Sequence, residues 1–126
     1  MAGFRVGLIT EAGGAHLSSY LESLAQAEEV TAVSLSDPSG DSEALARKTL
    51  GTKLTAVFKD PRALLRQEKP QMALVSMEAV HSPPAIEAAL DAGCHVLSEK
   101  PGCVRAEDFE KLTRKAKSKG LPLVLA

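Results

Sequence analysis

The sequence has few of the residues that support nucleic-acid binding. Aromatic residues make up only 3% of its 126 residues, and tryptophan is absent. The 15 Lys and Arg residues are matched by 16 Asp and Glu residues, so the formal net charge is −1. Such a chain lacks both the basic surface and the aromatic stacking platforms that nucleic-acid-binding proteins use. We therefore expect no nucleic-acid partner.

Cysteines and long apolar runs are also scarce. Cys94 and Cys103 form no C-x-x-C pair, which predicts two reduced thiols rather than a disulfide framework or a zinc site. No other residues show metal-ligand spacing, so no metal site is predicted. No apolar run approaches the ~20 residues of a membrane helix, and no signal-peptide block follows the first methionine. The expectation is a cytoplasmic protein without a membrane partner.

What the chain does contain is a regular alternation of strand-like and helix-like segments. Short apolar runs predict strands at 4–9, 30–35, 55–58, 72–76, 95–98 and 121–125. Helical periodicity and capping residues predict helices at 15–27, 41–50, 82–93 and 105–119, and a short one that starts at Asp60-Pro61. Strands that alternate with helices form a parallel sheet covered on both faces. The sequence therefore predicts one α/β domain, a Rossmann-like doubly wound sheet in three layers.

Two of these helices have acidic residues at their predicted starts. Asp41 follows a turn-rich stretch and is suited to cap the helix that ends near Leu50. Asp60 is followed by Pro61, and a capping carboxylate before a proline at the first helical position is a strong start signal.

The strand that starts at His95 ends abruptly in Glu99-Lys100-Pro101. In open parallel sheets, ligands bind in the crevice outside the carboxyl ends of the strands. A Glu-Lys pair at this position therefore favours a site rather than a core role, and the alternative is a surface ion pair at a strand end.

The ten residues 92–101, AGCHVLSEKP, resemble the "aGkhVlcEKP" segment of the glucose–fructose oxidoreductase and inositol dehydrogenase family, Gfo/Idh/MocA. The resemblance covers the whole chain and corresponds to the first, NAD(P)-binding domain of that family. It implies hydride transfer between a nicotinamide dinucleotide and a sugar, polyol or related hydroxy compound. It also implies that Glu99 and Lys100 contact the nicotinamide ribose and that Pro101 belongs to the cofactor site. Lys100 would in addition reach the substrate hydroxyl and assist catalysis as an acid or base. The family's C-terminal substrate domain is expected to be absent, so the 126 residues alone are not expected to be competent.

The loop after the first strand, TEAGGAH at 10–16, is the candidate diphosphate loop. Aligned on the strand end, it has Thr10, Ala12 and Ala15 where a G-x-G-x-x-G loop has glycines; aligned on Gly14-Ala15-His16, it is shorter by two residues. Gly13 and Gly14 still allow a compact turn with exposed backbone N–H groups. Glu11, however, places a negative charge beside a diphosphate, at a cost on the order of 1 kcal/mol. Two interpretations stay open: a modified diphosphate loop, or an ordinary turn that has lost phosphate binding.

Asp37 is the candidate ribose-binding carboxylate. It ends the second predicted strand, 24 positions after Gly13, where an acidic residue about 20 positions on is typical of dinucleotide binding. No Arg follows it to pair with a 2′-phosphate, so NAD is favoured over NADP. The alternative is that Asp37 only initiates the Asp-Pro-Ser-Gly turn.

The resemblance also implies that the loop after the fourth strand, which starts at Ser76, lies along the cofactor. Glu78 adds a second acidic residue there, and His81 is either a site residue displaced by one position or a partly exposed residue before the helix. His16 is not expected to replace the histidine that the family takes from its second domain, and Tyr20 is interpreted as a core or helix-surface residue.

These observations lead to two functional hypotheses. The first is the dinucleotide-binding domain of an oxidoreductase-like protein, with a dinucleotide and a small-molecule substrate as partners. The alternative is a degenerate Rossmann module that no longer binds dinucleotide and serves in interaction, scaffolding or regulation. In either case we expect a homo-oligomer, formed through uncovered apolar surface or the sheet edge.

Overall fold

Six parallel strands form one sheet, and the connecting helices cover both of its faces. The computed structural model describes residues 3–101 and 103–125. The strands are β1 (Phe4–Thr10), β2 (Val30–Ser36), β3 (Leu54–Phe58), β4 (Met72–Ser76), β5 (His95–Ser98) and β6 (Leu123–Leu125). The helices are α1 (Leu17–Gln26), α2 (Glu43–Leu50), α3 (Pro61–Glu68), α4 (Ser82–Asp91) and α5 (Ala106–Lys119), with a short 3₁₀ turn at Gly51–Lys53. The predicted order of strands and helices is confirmed.

The spatial order of the strands is β3-β2-β1-β4-β5-β6. This is the doubly wound Rossmann order, in which the chain reverses direction across the sheet after β3 and returns on the other side of β1. The predicted Rossmann-like α/β class is therefore confirmed. The reversal leaves a crevice between the carboxyl ends of β1 and β4, since the loops that follow these strands lead to opposite faces.

Alternating residues of the central strands supply the two halves of the core. Val6 and Leu8 of β1 pack with Leu21 of α1 on the face covered by α1 and α2. Ile9 packs with Ile86 of α4 on the opposite face, which α3, α4 and α5 cover. Burying each such side chain contributes about 1.5–3 kcal/mol, so both helical layers are held to the sheet. Within the described residues, no helix is long and apolar enough to cross a bilayer.

One of the two predicted caps is wrong. Asp60 does cap α3, since its Oδ1 accepts a hydrogen bond of 3.0 Å from the backbone N–H of Arg62. The helix α2, however, is preceded by Ser42 rather than Asp41. The Ser42 N–H and hydroxyl both donate to Asp37, at 3.0 and 2.6 Å. The carboxylate that organises this turn is therefore five residues back, at the end of β2.

Candidate functional site

The strand register brings the predicted site residues to one edge of the sheet. Thr10 of β1 pairs with Ser76 of β4, and Val75 pairs with Ser98 of β5, one residue before Glu99. Asp37 directly follows the last residue of β2, on the other side of β1. All of them lie at the carboxyl edge, where open α/β sheets bind ligands. The space between the ends of β1 and β4 is called the strand-end crevice below.

The β1–α1 loop is fastened to the end of β4. The Thr10 hydroxyl donates to the carbonyl of Ser76 at 2.8 Å, and the Ser76 hydroxyl donates to the carbonyl of Ala15 at 2.7 Å. Gly14 lies inside this junction, because a Cβ at Gly14 would come within 2.2 Å of Thr10 Oγ1 and 2.8 Å of the Ser76 carbonyl. Thr10, Gly14 and Ser76 therefore fix the position of the loop over the crevice.

The same loop offers backbone donors to an anion. Gly13 has a φ of 75°, and the N–H of Gly14 closes the turn on the carbonyl of Glu11 at 3.1 Å. Among the residues that the structure describes, the N–H groups of Ala12, Gly13 and Ala15 have no protein acceptor. They precede α1, where the positive end of the helix dipole favours anions. The loop thus fits a diphosphate in its donors, although it lacks the three-glycine pattern.

Glu11 carries a negative charge into this loop, and its carboxylate is held by the β4–α4 loop. Oε2 of Glu11 accepts a hydrogen bond of 2.8 Å from the N–H of Glu78, and Oε1 lies 2.8 Å from Nδ1 of His81. The hydrogen bond and the charge of Glu11 raise the pKa of His81. Since protonated His81 offsets the charge of Glu11, the repulsion of a diphosphate is weakest when His81 is charged.

Glu11, Glu78 and His81 also form a group of metal-ligand types that their sequence spacing did not predict. One possible ligand atom from each lies within 4.8 Å of the others. The group sits at the start of α4, where the helix dipole opposes a cation. The hydrogen bonds that Glu11 of the β1–α1 loop makes with the β4–α4 loop account for the proximity of the three residues.

Asp37 is fully occupied by its own turn. It is 1% exposed. Oδ1 accepts from the N–H and hydroxyl of Ser39 at 3.0 and 2.7 Å, and Oδ2 accepts from the same groups of Ser42. Burial raises the pKa of Asp37, but the hydrogen bonds from Ser42 and Ser39 outweigh it and hold the pKa below its ordinary value. The turn-forming role is therefore present, and all four acceptor positions of the carboxylate are filled.

Glu99 reaches from the end of β5 to the first turn of α1. Its backbone N–H donates a hydrogen bond of 2.8 Å to the carbonyl of Val75, and only 7% of its side chain is exposed. Oε1 lies 3.1 Å from Nδ1 of His16, and Oε2 accepts a hydrogen bond from the hydroxyl of Tyr20. Burial, together with the hydrogen bond and charge of Glu99, raises the pKa of Tyr20 to about 12. This carboxylate is buried and has a donor on each oxygen.

Lys100 and Pro101 follow Glu99 as exposed residues joined by a cis peptide bond. Lys100 lies after the carboxyl end of β5, and Ala12 is exposed in the β1–α1 loop; their roles at a ligand stay predictions. A cationic amine beside a buried carboxylate can bind or exchange a proton with a ligand hydroxyl.

Sequence reasoning missed the roles of His16 and Tyr20. Both were set aside, yet both bind Glu99, which lies 83 and 79 positions away in the chain. The sequence indicates only a core or helix-surface position for Tyr20, and it is the fold that brings its hydroxyl to Glu99. A local signal existed at His16 alone, since it directly follows the glycine-containing turn of the candidate diphosphate loop.

A groove of about 850 Å³ lies elsewhere, between α3 and α4. Its floor includes Leu65 and Ala88, and its walls carry basic side chains from α3 and acidic ones from α4. It contains none of the strand-end residues described above, so it is separate from the candidate site.

Comparisons with known proteins agree with this geometry. Residues 4–126 match the family model for the oxidoreductase family with an NAD-binding Rossmann fold, Gfo/Idh/MocA. No curated protein sequence matches the chain. Among solved structures, scyllo-inositol dehydrogenase from Lactobacillus casei, with bound NAD(H) and scyllo-inositol, is similar at a TM-score of 0.83 and 20% identity over 99% of this chain and 36% of its own. At that identity the likeness shows the fold alone.

Two further solved structures are more similar in sequence. KijD10, a 3-ketoreductase from Actinomadura kijaniata in complex with NADP, is 27% identical with a TM-score of 0.81, over 98% of this chain and 38% of its own. GnnA, a UDP-N-acetylglucosamine 3-dehydrogenase from Acidithiobacillus ferrooxidans, is 25% identical with a TM-score of 0.78, over 99% of this chain and 38% of its own. The chain thus spans little more than a third of the length of these proteins. Since the family model matches nearly every residue, the chain belongs to the Gfo/Idh/MocA oxidoreductases and forms their NAD-binding Rossmann fold.

Proposed function

We propose that the chain binds a nicotinamide dinucleotide in the strand-end crevice, as the cofactor domain of an oxidoreductase that acts on a sugar, polyol or related hydroxy compound. The observation that carries this proposal is the β1–α1 turn, which is fastened to Ser76 and presents unpaired backbone donors at the start of α1. The family match and the ligands of the similar structures, NAD(H) and NADP, support the same class of cofactor. The substrate-binding part is proposed to lie outside these 126 residues.

The proposed roles follow the positions of the residues. The backbone around Thr10, Ala12, Gly13 and Gly14 would hold the diphosphate, and Ser76 would keep that loop in place. Bound dinucleotide supplies a hydride acceptor or donor. Lys100 would hold the substrate hydroxyl and exchange its proton. This role requires that Lys100, which is exposed in the structure, lose contact with water when the ligands bind.

Three residues would lie at the sugar moieties of the dinucleotide. Glu99 and Pro101 would lie beside the nicotinamide ribose. Asp37 would accept a hydrogen bond from a hydroxyl of the adenosine ribose. Because Ser39 and Ser42 already fill its acceptor positions, that hydroxyl must replace one of the serine donors. We favour NAD over NADP because a carboxylate, and no arginine, follows β2.

Calorimetric titration with NAD⁺, NADH and NADPH tests this proposal. We expect NADH to bind in the micromolar range, and Glu11→Gln to tighten binding about tenfold, the factor that corresponds to ~1.4 kcal/mol of removed repulsion. A gain of affinity cannot result from damage to the fold. Glu22→Gln is the matched control, since Glu22 is an exposed residue of α1 that makes no described contact with the crevice. Equal affinity in wild type, Glu11→Gln and Glu22→Gln would contradict the proposed position of the diphosphate.

A second candidate function is a module that has lost dinucleotide binding and serves in interaction or regulation. Two observations favour it: Glu11 lies in the diphosphate loop, and Asp37 has no acceptor position to spare. Absence of binding heat at millimolar NAD⁺, NADH and NADPH, in both the wild type and Glu11→Gln, would select this candidate over the first.

A further inference from the structure

We propose that the groove between α3 and α4 is a docking surface for an acidic amphipathic helix of a partner protein. The groove lies on the face of the sheet that α3, α4 and α5 cover, away from the strand-end residues. The inference therefore does not rest on the cofactor or on the proposed function. It rests on the shape of the groove, on the charges of its two walls and on its apolar floor.

The shape of the groove suits a helix. The strands that precede α3 and α4 belong to one parallel sheet, so both helices run back across it side by side. The groove between them has a volume of about 850 Å³. Its α4 wall presents Pro84, Ala88 and Ala92, which are spaced four residues apart. Small side chains in such a row allow a third helix to pack closely against the first two.

The α3 wall carries three cationic side chains without acidic partners. Arg62, Arg66 and Lys69 are exposed and line the groove, at a spacing that places them in one row along α3 and its end. In the part of the chain that the structure describes, no carboxylate lies within 4.0 Å of the charged group of any of them. This row therefore attracts carboxylates from outside the chain.

The acidic side chains of the opposite wall are already paired with a cation of α5. Nζ of Lys115 lies 2.9 Å from Oδ1 of Asp91 and 3.3 Å from Oε2 of Glu87. The hydrogen bond to Asp91, together with the hydrogen bond to Glu87 and the charges of both, raises the pKa of Lys115, so this lysine stays charged at neutral pH. The unbalanced charge of the groove is therefore the positive charge of α3, and the complementary partner is acidic.

The floor of the groove selects among acidic partners. Leu65 is a buried residue between the two arginines of α3, and Ala88 is half-buried and packs against the core. A small anion would use only the cations, whereas a helix with apolar side chains in its centre would also cover the floor. Carboxylates that recur every three to four residues along one edge of such a helix match the row on α3.

Fluorescence anisotropy with a labelled synthetic peptide tests the docking surface. The probe is a peptide of about 18 residues, long enough to form a helix in water, with leucine and alanine on one face and glutamate along the edge that would meet α3. A peptide of the same composition in scrambled order is the control. We expect saturable binding of the probe and binding of the scrambled peptide that is weaker by about tenfold.

Charge reversal on α3 should weaken the binding of the probe. Arg62→Glu combined with Arg66→Glu replaces two exposed attractions by repulsions, and we expect a loss of about tenfold. Arg47→Glu combined with Lys48→Glu is the matched control, since it makes the same change of net charge on exposed residues of α2, on the other face of the sheet. An equal loss in the two double variants would overturn the inference.

Ala88→Arg separates docking in the groove from a general attraction between opposite charges. The new side chain fills the floor and adds a positive charge. Docking in the groove therefore predicts weaker binding of the probe, whereas general attraction predicts stronger binding, which would overturn the inference. Circular dichroism checks that this variant is folded, and the double variant of the exposed Arg62 and Arg66 decides the question if it is not.

Three further results would also overturn the inference. The first is the absence of saturable binding of the probe to the wild type. The second is displacement of the probe by inorganic phosphate at constant ionic strength, which would assign the groove to a small anion. The third is a wild-type dimer in sedimentation velocity that Arg62→Glu with Arg66→Glu abolishes, which would assign the groove to a second copy of the chain.

Discussion

Asp37 shows how a single buried carboxylate can determine the stability of a turn. Its lowered pKa means that the folded chain favours the ionised form more than the unfolded chain does. The stabilisation is therefore complete above the ordinary Asp pKa of about 3.9 and is lost as the pH falls below it toward the pKa of the folded chain.

We predict that Asp37→Asn lowers the free energy of unfolding by about 2–3 kcal/mol at pH 7, since it weakens hydrogen bonds to a buried charged group. Urea unfolding between pH 6 and 3 measures this. The difference between wild type and Asp37→Asn should shrink toward the acidic end. Asp41→Asn is the control, since Asp41 is exposed in the same turn, and an equal loss in both variants would contradict the role of Asp37.

Tyr20 offers a spectroscopic test of its contact with Glu99. It is the only tyrosine, and the chain has no tryptophan. Burial and Glu99 raise its pKa to about 12, so the folded chain should show no phenolate absorption near the ordinary value of about 10. We predict that Glu99→Gln lowers the midpoint of the spectrophotometric titration toward 10. An unchanged midpoint would show that burial alone is responsible.

The raised pKa of Tyr20 also has a consequence for alkaline stability. A tyrosine whose pKa is higher in the folded chain contributes stability below the unfolded value of about 10, and this contribution is lost as the pH rises from there toward 12. Phenolate absorption and circular dichroism should therefore change together in the wild type.

At the scale of elements, the end of α1 depends on a side chain from another part of the chain. Nζ of Lys53 donates to the carbonyls of Leu24, Ala25 and Ala27 at 3.1, 2.8 and 2.8 Å. Leu24 and Ala25 belong to the last turn of α1, and Ala27 directly follows the helix. Carbonyls at the end of a helix lack partners within it, and a cation is favoured at this end of the dipole.

We predict that Lys53→Met destabilises the fold by about 1.5–3 kcal/mol, the range for hydrogen bonds to charged groups. Lys48→Met is the control, because Lys48 is an exposed lysine of α2. Chemical denaturation of both variants measures the effect. If both changed the midpoint equally, a general effect of lost charge would account for the result.

The elements themselves could be predicted because their signals are local. Apolar runs, Asp60-Pro61 and the glycines after α4 and α5 mark starts and ends within a few residues of those observed. The start of α2 after Ser42 could not be predicted in this way, since it depends on a turn that folds back and brings Ser42 to Asp37.

That the candidate site residues lie together could be predicted, whereas only part of their contacts could, and their binding roles stay a prediction. Thr10, Ser76 and Glu99 lie at one edge because parallel strands end together. The hydrogen bonds of Glu99 to His16 and Tyr20, and of Glu11 to His81, join residues that are 83, 79 and 70 positions apart in the chain. No local pattern specifies such pairs; they follow from the order of the strands.

At the scale of the whole molecule, the sheet ends in a short strand with apolar side chains at its edge. β6 pairs only with β5 among the described strands, and Val124 and Leu125 are 52% and 40% exposed. An apolar edge strand can pair with another chain. We propose that the chain self-associates through this edge.

The expected result is a concentration-dependent shift to a dimer in sedimentation velocity. Val124→Lys should reduce it, because a charged residue on an edge strand opposes pairing. Lys117→Glu, a charge change on exposed α5, is the control. A monomer at all concentrations for the wild type would rule out the proposed homo-oligomer.

The strand-end crevice has one more property, which concerns rates rather than contacts. Asp37, Glu11 and Glu99 each have internal hydrogen-bond partners before any ligand arrives. A ligand that uses these groups exchanges one set of hydrogen bonds for another, so each contact adds little net free energy. We therefore expect such a ligand to be released quickly. The crevice is therefore suited to a compound that enters and leaves in every cycle rather than to one that stays permanently bound.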